Sequence, residues 1–178
     1  MKFVYMVEMP NLDPASFCGG FENDDHSCVI VGLDNKETAK ELFCKYTAEG
    51  YDLFNLCSGF TPEDAAAFEA MAEGTKVRAA VYEGDQVEKI DALEDFSKYG
   101  AIFVAAGLEA PKEVRLSGPD FDMTGVYITD QESANAAARK LVEEGVTFIE
   151  LCSWFDAEKT QSVIDAIGGA VPVGSCGL

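Results

Sequence analysis

Residues 50–63 read GYDLFNLCSGFTPE, and residues 145–158 read GVTFIELCSWFDAE. The two stretches lie in register at a constant offset of 95 residues, and 12 of the 44 ungapped positions between 31–74 and 126–169 are identical. Each begins at a glycine that can stop a helix, runs through a strand of alternating residues, and ends at a cap for the next helix. Two copies of one βα unit are therefore expected. Leu-Cys-Ser-x-Phe marks the corner where strand passes into helix in both.

Working outward, apolar β-branched runs predict four strands per half, at 3–7, 28–33, 53–57 and 77–82, then 101–105, 125–129, 147–152 and 170–176. Asn35 can cap a helix carrying Ala39, Leu42, Phe43 and Tyr46 at helical spacing, and its copy runs from Asp130 through Ala134, Ala137, Ala138 and Leu141. Thr61-Pro62 with Asp64 predicts a capped helix burying Ala65, Phe68 and Met71. Its copy starts at Asp156 and buries Val163, Ile164 and Ile167. Between strands one and two, 13–17 and 111–115 read as short helical turns, followed by the loops 18–25 and 117–122. Asp85 with Glu88, and the stripe Val87, Ile90, Leu93 and Phe96, predict a linking helix.

The expected organisation is a first repeat over 1–84, a linking helix over 85–98 and a second repeat over 99–178. The fold class is α/β, an internally duplicated (βα)4 unit with parallel strands, because helical connections imply parallel pairing. Two arrangements satisfy it. One is a compact pair of half-barrels, TIM-like. The other is two open sheets packed by pseudo-twofold symmetry.

Composition narrows the function classes. A net charge of −19, from 13 basic and 32 acidic residues, opposes nucleic acid and anionic membrane surfaces. No apolar run approaches the roughly 18 residues of a membrane span. The N-terminus MKFVYMVEMP reads as a strand and not as a signal peptide. A soluble, acidic, cytoplasmic protein is expected. Its six cysteines contain no C-x-x-C pair, so reduced thiols, mostly core residues, are the default. Cys18, His26 and Cys28 form a C-x7-H-x-C cluster that matches no zinc spacing, and no metal is assigned. The cofactor is left unknown.

Ligands of parallel α/β sheets sit beyond the carboxyl ends of strands. The candidate binding residues are therefore Asn55, Cys57 and Ser58 in the first copy, with Cys152, Ser153 and Trp154 in the second. Strand alternation puts Leu53, Asn55 and Cys57 on one face and Phe148, Glu150 and Cys152 on its counterpart. Glu150, a carboxylate inside TFIELC, is the candidate catalytic acid or base, since burial would raise its pKa. Cys57 and Cys152 would serve as nucleophiles only as thiolates near a helix start. The segment 143–174, EEGVTFIELCSWFDAEKTQSVIDAIGGAVPVG, resembles a prokaryotic domain-of-unknown-function family of about 100-residue βα proteins, normally found as one copy. The first half matches more loosely through EGYDLFNLCSGF. The resemblance implies the unit and its tandem duplication, and no activity.

The leading expectation is binding of a small molecule at the strand ends. The alternatives are a barrel-type lyase or isomerase with Glu150 as acid/base in a pocket shared with Asn55, and a non-enzymatic structural protein. An oligomer is possible, since a single-copy relative would have to dimerise to reproduce the fused pair.

Overall fold

In the computed structural model, which describes residues 1–178, the first half runs β1 (Lys2–Glu8), β2 (Cys18–Glu22), β3 (Ser27–Leu33), α1 (Lys36–Ala48), β4 (Leu53–Ser58), α2 (Pro62–Glu69) and β5 (Lys76–Ala79). A short α3 (Asp85–Asp91) leads to the second half. There β6 (Lys98–Val104), β7 (Lys112–Ser117), β8 (Asp122–Ile128), α4 (Gln131–Glu143), β9 (Phe148–Leu151), α5 (Ala157–Ala166) and β10 (Val173–Ser175) repeat the order. Each half makes a five-stranded sheet, in the orders β2-β3-β1-β4-β5 and β10-β9-β6-β8-β7.

The four helix-flanked strands of each half pair in parallel, as the helical connections require. The fold is thus α/β, with two similar halves and two open sheets. The half-barrel alternative is excluded, because each sheet keeps its own edges. The sheets touch along one edge through a single bridge, in which Val81 and Ser175 exchange both backbone bonds at 2.9 Å.

The expected turn at 111–115 and the expected loop at 18–25 need correction. Both regions contain strands, β7 and β2, which run antiparallel along the outer edges of β8 and β3. In β2 the Gly19-Gly20 pair hides the strand pattern. Gly20 lies so close to β3 that an added Cβ would stand 2.1 Å from the Cys28 carbonyl oxygen, a close approach that glycine alone permits. In β7, Lys112, Glu113 and Arg115 alternate with half-buried Val114 and Leu116, the pattern of a charged edge. The stretch 13–17 does form a turn, closed by Asp13 accepting from Phe17 N at 2.7 Å.

The helix signals hold at their starts. Asn35 and Asp130 accept from Thr38 N and Ser133 N, and Thr61 with Asp64 forms a capping box. The linking helix is shorter than its stripe suggests. Its cap is Gly84, with no side-chain bond from Asp85, and Val87 and Phe96 are exposed, as is Met71, which lies beyond the end of α2 and is not buried as expected.

Alternation along the strands sorts side chains into layers. Val4, Met6, Phe54 and Leu56 face α1 and α2, where Phe54 meets Phe43 at 4.6 Å between ring centroids. Phe3, Tyr5, Val7 and Cys57 face the other way and pack onto Tyr99, Phe103 and Cys152 of the second sheet. Tyr5 and Phe103 stand edge to face at 4.6 Å. The result is helix, sheet, sheet, helix, with the inner faces of both sheets buried on each other. Such burial is the main source of stability, at about 25 cal/mol per Å² of apolar surface.

Candidate functional site

The polar residues of the strand faces meet at the pseudo-twofold axis. Asn55 Oδ1 accepts from Ser153 N at 2.8 Å, and Asn55 Nδ2 donates to Ser153 Oγ at 3.2 Å. At the equivalent positions Glu150 Oε2 accepts from Ser58 N at 2.9 Å. Each half thus sends one strand side chain across to the backbone of the other half's Ser corner. Asn55 and Glu150 are 0% and 2% exposed, so a partner is obligatory for both.

Glu150 is bound further. Tyr82 donates to Oε1 and Tyr99 to Oε2, each at 2.9 Å, and the Tyr99 hydroxyl lies 2.5 Å from that of Tyr5. Burial raises the pKa of Glu150, while the bonds from Tyr82, Tyr99 and Ser58 pull it down. Burial drives Tyr5, Tyr82 and Tyr99 well above the ordinary phenol value.

Two clefts flank this network, one on each side of the axis. The first, of about 310 Å³, is lined by Asn55, Cys152, Ser153 and Trp154 together with Met1, Phe3, Leu53, Val104, Lys76 and Arg78. The second, of about 410 Å³, holds Ser58 and Glu150 with Met9, Pro10, Gly59, Tyr82, Ile90, Phe96 and Phe148. The first combines the carboxyl ends of β6 and β9 with the amino ends of β1 and β4. The second pairs the carboxyl ends of β1 and β4 with Phe148 at the start of β9. The two sheets therefore face each other with opposed strand directions, and each cleft sits at the carboxyl end of one of them.

The sequence-predicted residues are divided by this geometry. Asn55, Cys152, Ser153 and Trp154 come together in the first cleft. Ser58 and Glu150 line the second, so Asn55 and Glu150 do not share a pocket. Cys57 lines neither. It is fully buried with its sulfur 3.5 Å from that of Cys176. Burial, then Cys176, lift its pKa well above the ordinary thiol value, and burial pushes Cys152 up to about 11. Both thiols are held protonated, the reverse of what a nucleophile needs.

Sequence reasoning missed Lys76 and Arg78, which share one face of the edge strand β5 around buried Val77. It also missed Tyr82 and Tyr99, which reach Glu150 from 68 and 51 residues away. His26 packs edge-on against Phe3 at 5.3 Å, Cys28 is buried and Cys18 is exposed. No group of three or more His, Cys, Asp or Glu side chains is placed to hold a metal. No helix is long and apolar enough to cross a membrane.

Among solved structures, the chain is similar to an ABC transporter solute-binding protein from Conexibacter woesei, with 15% identity and a TM-score of 0.31 over 97% of this chain and 69% of that one. An extracellular ligand-binding receptor from Verminephrobacter eiseniae gives 11% identity and a TM-score of 0.32 over 97% of this chain and 63% of its own. A periplasmic solute-binding protein from Actinobacillus succinogenes with bound D-allose gives 10% and 0.30, over 97% and 77%. No curated protein matches the sequence significantly. One family profile, described as a family of unknown function, matches residues 1–95 and again residues 97–177. The chain therefore belongs to the DUF6506 family, and carries its domain twice in tandem.

Proposed function

We propose that the protein binds a small anionic molecule in the first cleft. The observation that carries this reading is the convergence of Lys76 and Arg78 on a cleft walled by Trp154 and floored by Asn55 and Ser153. In a chain of net charge −19, the charged side chains lining this cleft are both cations, Arg78 being also paired with Glu69 at 3.6 Å. Trp154 offers a flat apolar wall, and the guanidinium suits a carboxylate or phosphate. A few convergent polar groups on a largely apolar surface are the usual make-up of a small-molecule site. Six free thiols accord with a reducing, cytoplasmic setting.

Trp154 is the sole tryptophan, so its fluorescence reports the cleft directly. Titration with aliphatic and aromatic carboxylates and with phosphate monoesters is expected to give a saturable change for at least one class. Substituting Lys76 and Arg78 together by Ala, both exposed, should weaken that binding at least about tenfold. A flat response across the panel to about 10 mM, or an unaltered affinity in the double variant, counts against the reading.

The lyase or isomerase reading draws on a single observation, the raised pKa of buried Glu150. Three donors already hold that carboxylate, and the one other titratable side chain in its cleft, Tyr82, is pushed further from titration. The inner face that a single copy would need to cover is covered here by the second half.

A further inference from the structure

The second cleft has the opposite chemistry, and no basic side chain lines it. Its walls are Met9, Pro10, Ile90, Phe96 and Phe148, and its polar floor is Glu150 with Tyr82 and Ser58. A carboxylate offers about four acceptor positions. Oε2 uses two, for Ser58 N and Tyr99 OH, while Oε1 accepts from Tyr82 alone. One acceptor position on Oε1 is thus unfilled, on the oxygen bonded to the cleft-lining Tyr82.

An anionic ligand would meet a buried carboxyl group with no basic side chain beside it. A neutral apolar ligand would leave the open acceptor unpaired, at a cost. A cation satisfies both demands. The rings of Phe96 and Phe148, which meet edge to face at 5.4 Å and 70°, add favourable surroundings for an ammonium group and its hydrocarbon. A net charge of −19 concentrates cations near the molecule. We propose that the second cleft binds a small apolar primary amine, with the ammonium on Glu150 Oε1 and the hydrocarbon against Phe96, Phe148, Ile90 and Met9. The duplication has then produced two sites of opposite charge preference, divided by the Asn55 and Glu150 exchange.

The test is calorimetric titration of the whole chain at neutral pH with 2-phenylethylamine, and with 2-phenylethanol as its uncharged counterpart. The amine is expected to saturate below about 1 mM and to bind at least about tenfold more tightly than the alcohol. Glu150→Gln should weaken the amine about tenfold and leave the alcohol unchanged. Phe96→Ala, at a position 37% exposed and outside the buried core, should weaken both ligands and decides the matter if the first variant fails to fold. Equal affinity for amine and alcohol, no saturation by about 10 mM, or full amine affinity in Phe96→Ala overturns the proposal. The anion titration through Trp154 is read separately, so either site can fail while the other stands.

Discussion

Glu150 shows how a single buried group couples function to stability. Its folded pKa is raised above the ordinary value near 4.5, chiefly by burial. The ionised form is therefore disfavoured in the native state, so the contribution of Glu150 is full below that value. It is lost as pH rises through the raised folded pKa. Tyr5, Tyr82, Tyr99 and Cys57, which face it, all have pKa values raised by burial and stay uncharged at neutral pH, so none of them offsets the effect. Glu150→Gln keeps an acceptor for Ser58 N and removes the titration. Urea midpoints followed against pH should show wild type losing stability relative to Glu150→Gln as pH rises above about 4.5, with a flatter profile in the variant. A constant difference at all pH values would mean that Glu150 does not titrate in this way. The residue itself was legible in the sequence, because a carboxylate inside an apolar strand must find partners. The partners were not legible, since Tyr99 reaches it only through the pairing of β6 with β9 and Tyr82 only through the packing of the two halves. Lys76 and Arg78 escaped for another reason: charges alternating around one valine read as an ordinary solvent face.

The strand-to-helix corner is where the two copies part at the level of elements. Ser58 closes β4 at φ 62, in the left-handed region, and its hydroxyl is buried without a partner. Its counterpart Ser153 does not share that conformation and bonds Asn55. A non-glycine residue there costs about 1 kcal/mol or more, and an unpaired buried hydroxyl adds to it. The Ser58 N–H still bonds Glu150, which explains why the backbone is held so. Ser58→Gly removes both costs and keeps that N–H, so it should stabilise the fold by about 1 kcal/mol in chemical denaturation. A destabilised variant would show that the hydroxyl contributes to the native state. Other elements were legible to different degrees for physical reasons. Caps are local, so Asn35, Thr61, Asp130 and Asp156 marked their helices correctly. Edge strands depend on a neighbour, so β2, built on Gly19-Gly20, and β7, half charged, looked like loop and turn until β3 and β8 were beside them.

At the scale of the molecule, the repeat implied two units but left open whether each stands alone. The inner faces answer this. Tyr5, Phe103, Tyr99 and Cys57 are fully buried only because the opposite sheet covers them, and a separated half would expose that whole aromatic layer. The crossed bonds from Asn55 to Ser153 and from Glu150 to Ser58 would be broken at the same time. Losing so much apolar burial together with buried polar pairs makes a state with one half folded unfavourable. The two halves should therefore unfold as one cooperative unit, despite being separate copies of a domain. Phe54→Ala tests this at a position remote from the interface, on the outer face of the first sheet against Phe43. Truncating a buried Phe costs about 3–5 kcal/mol. For a chain of this length the expected result is one transition lowered by about 6–20 °C, with calorimetric and van't Hoff enthalpies in agreement. Two resolved transitions, only one of them displaced, would show that each half folds on its own. In that case the clefts between the sheets would belong to a dissociable contact, and ligand affinity in either cleft should fall as the first half melts.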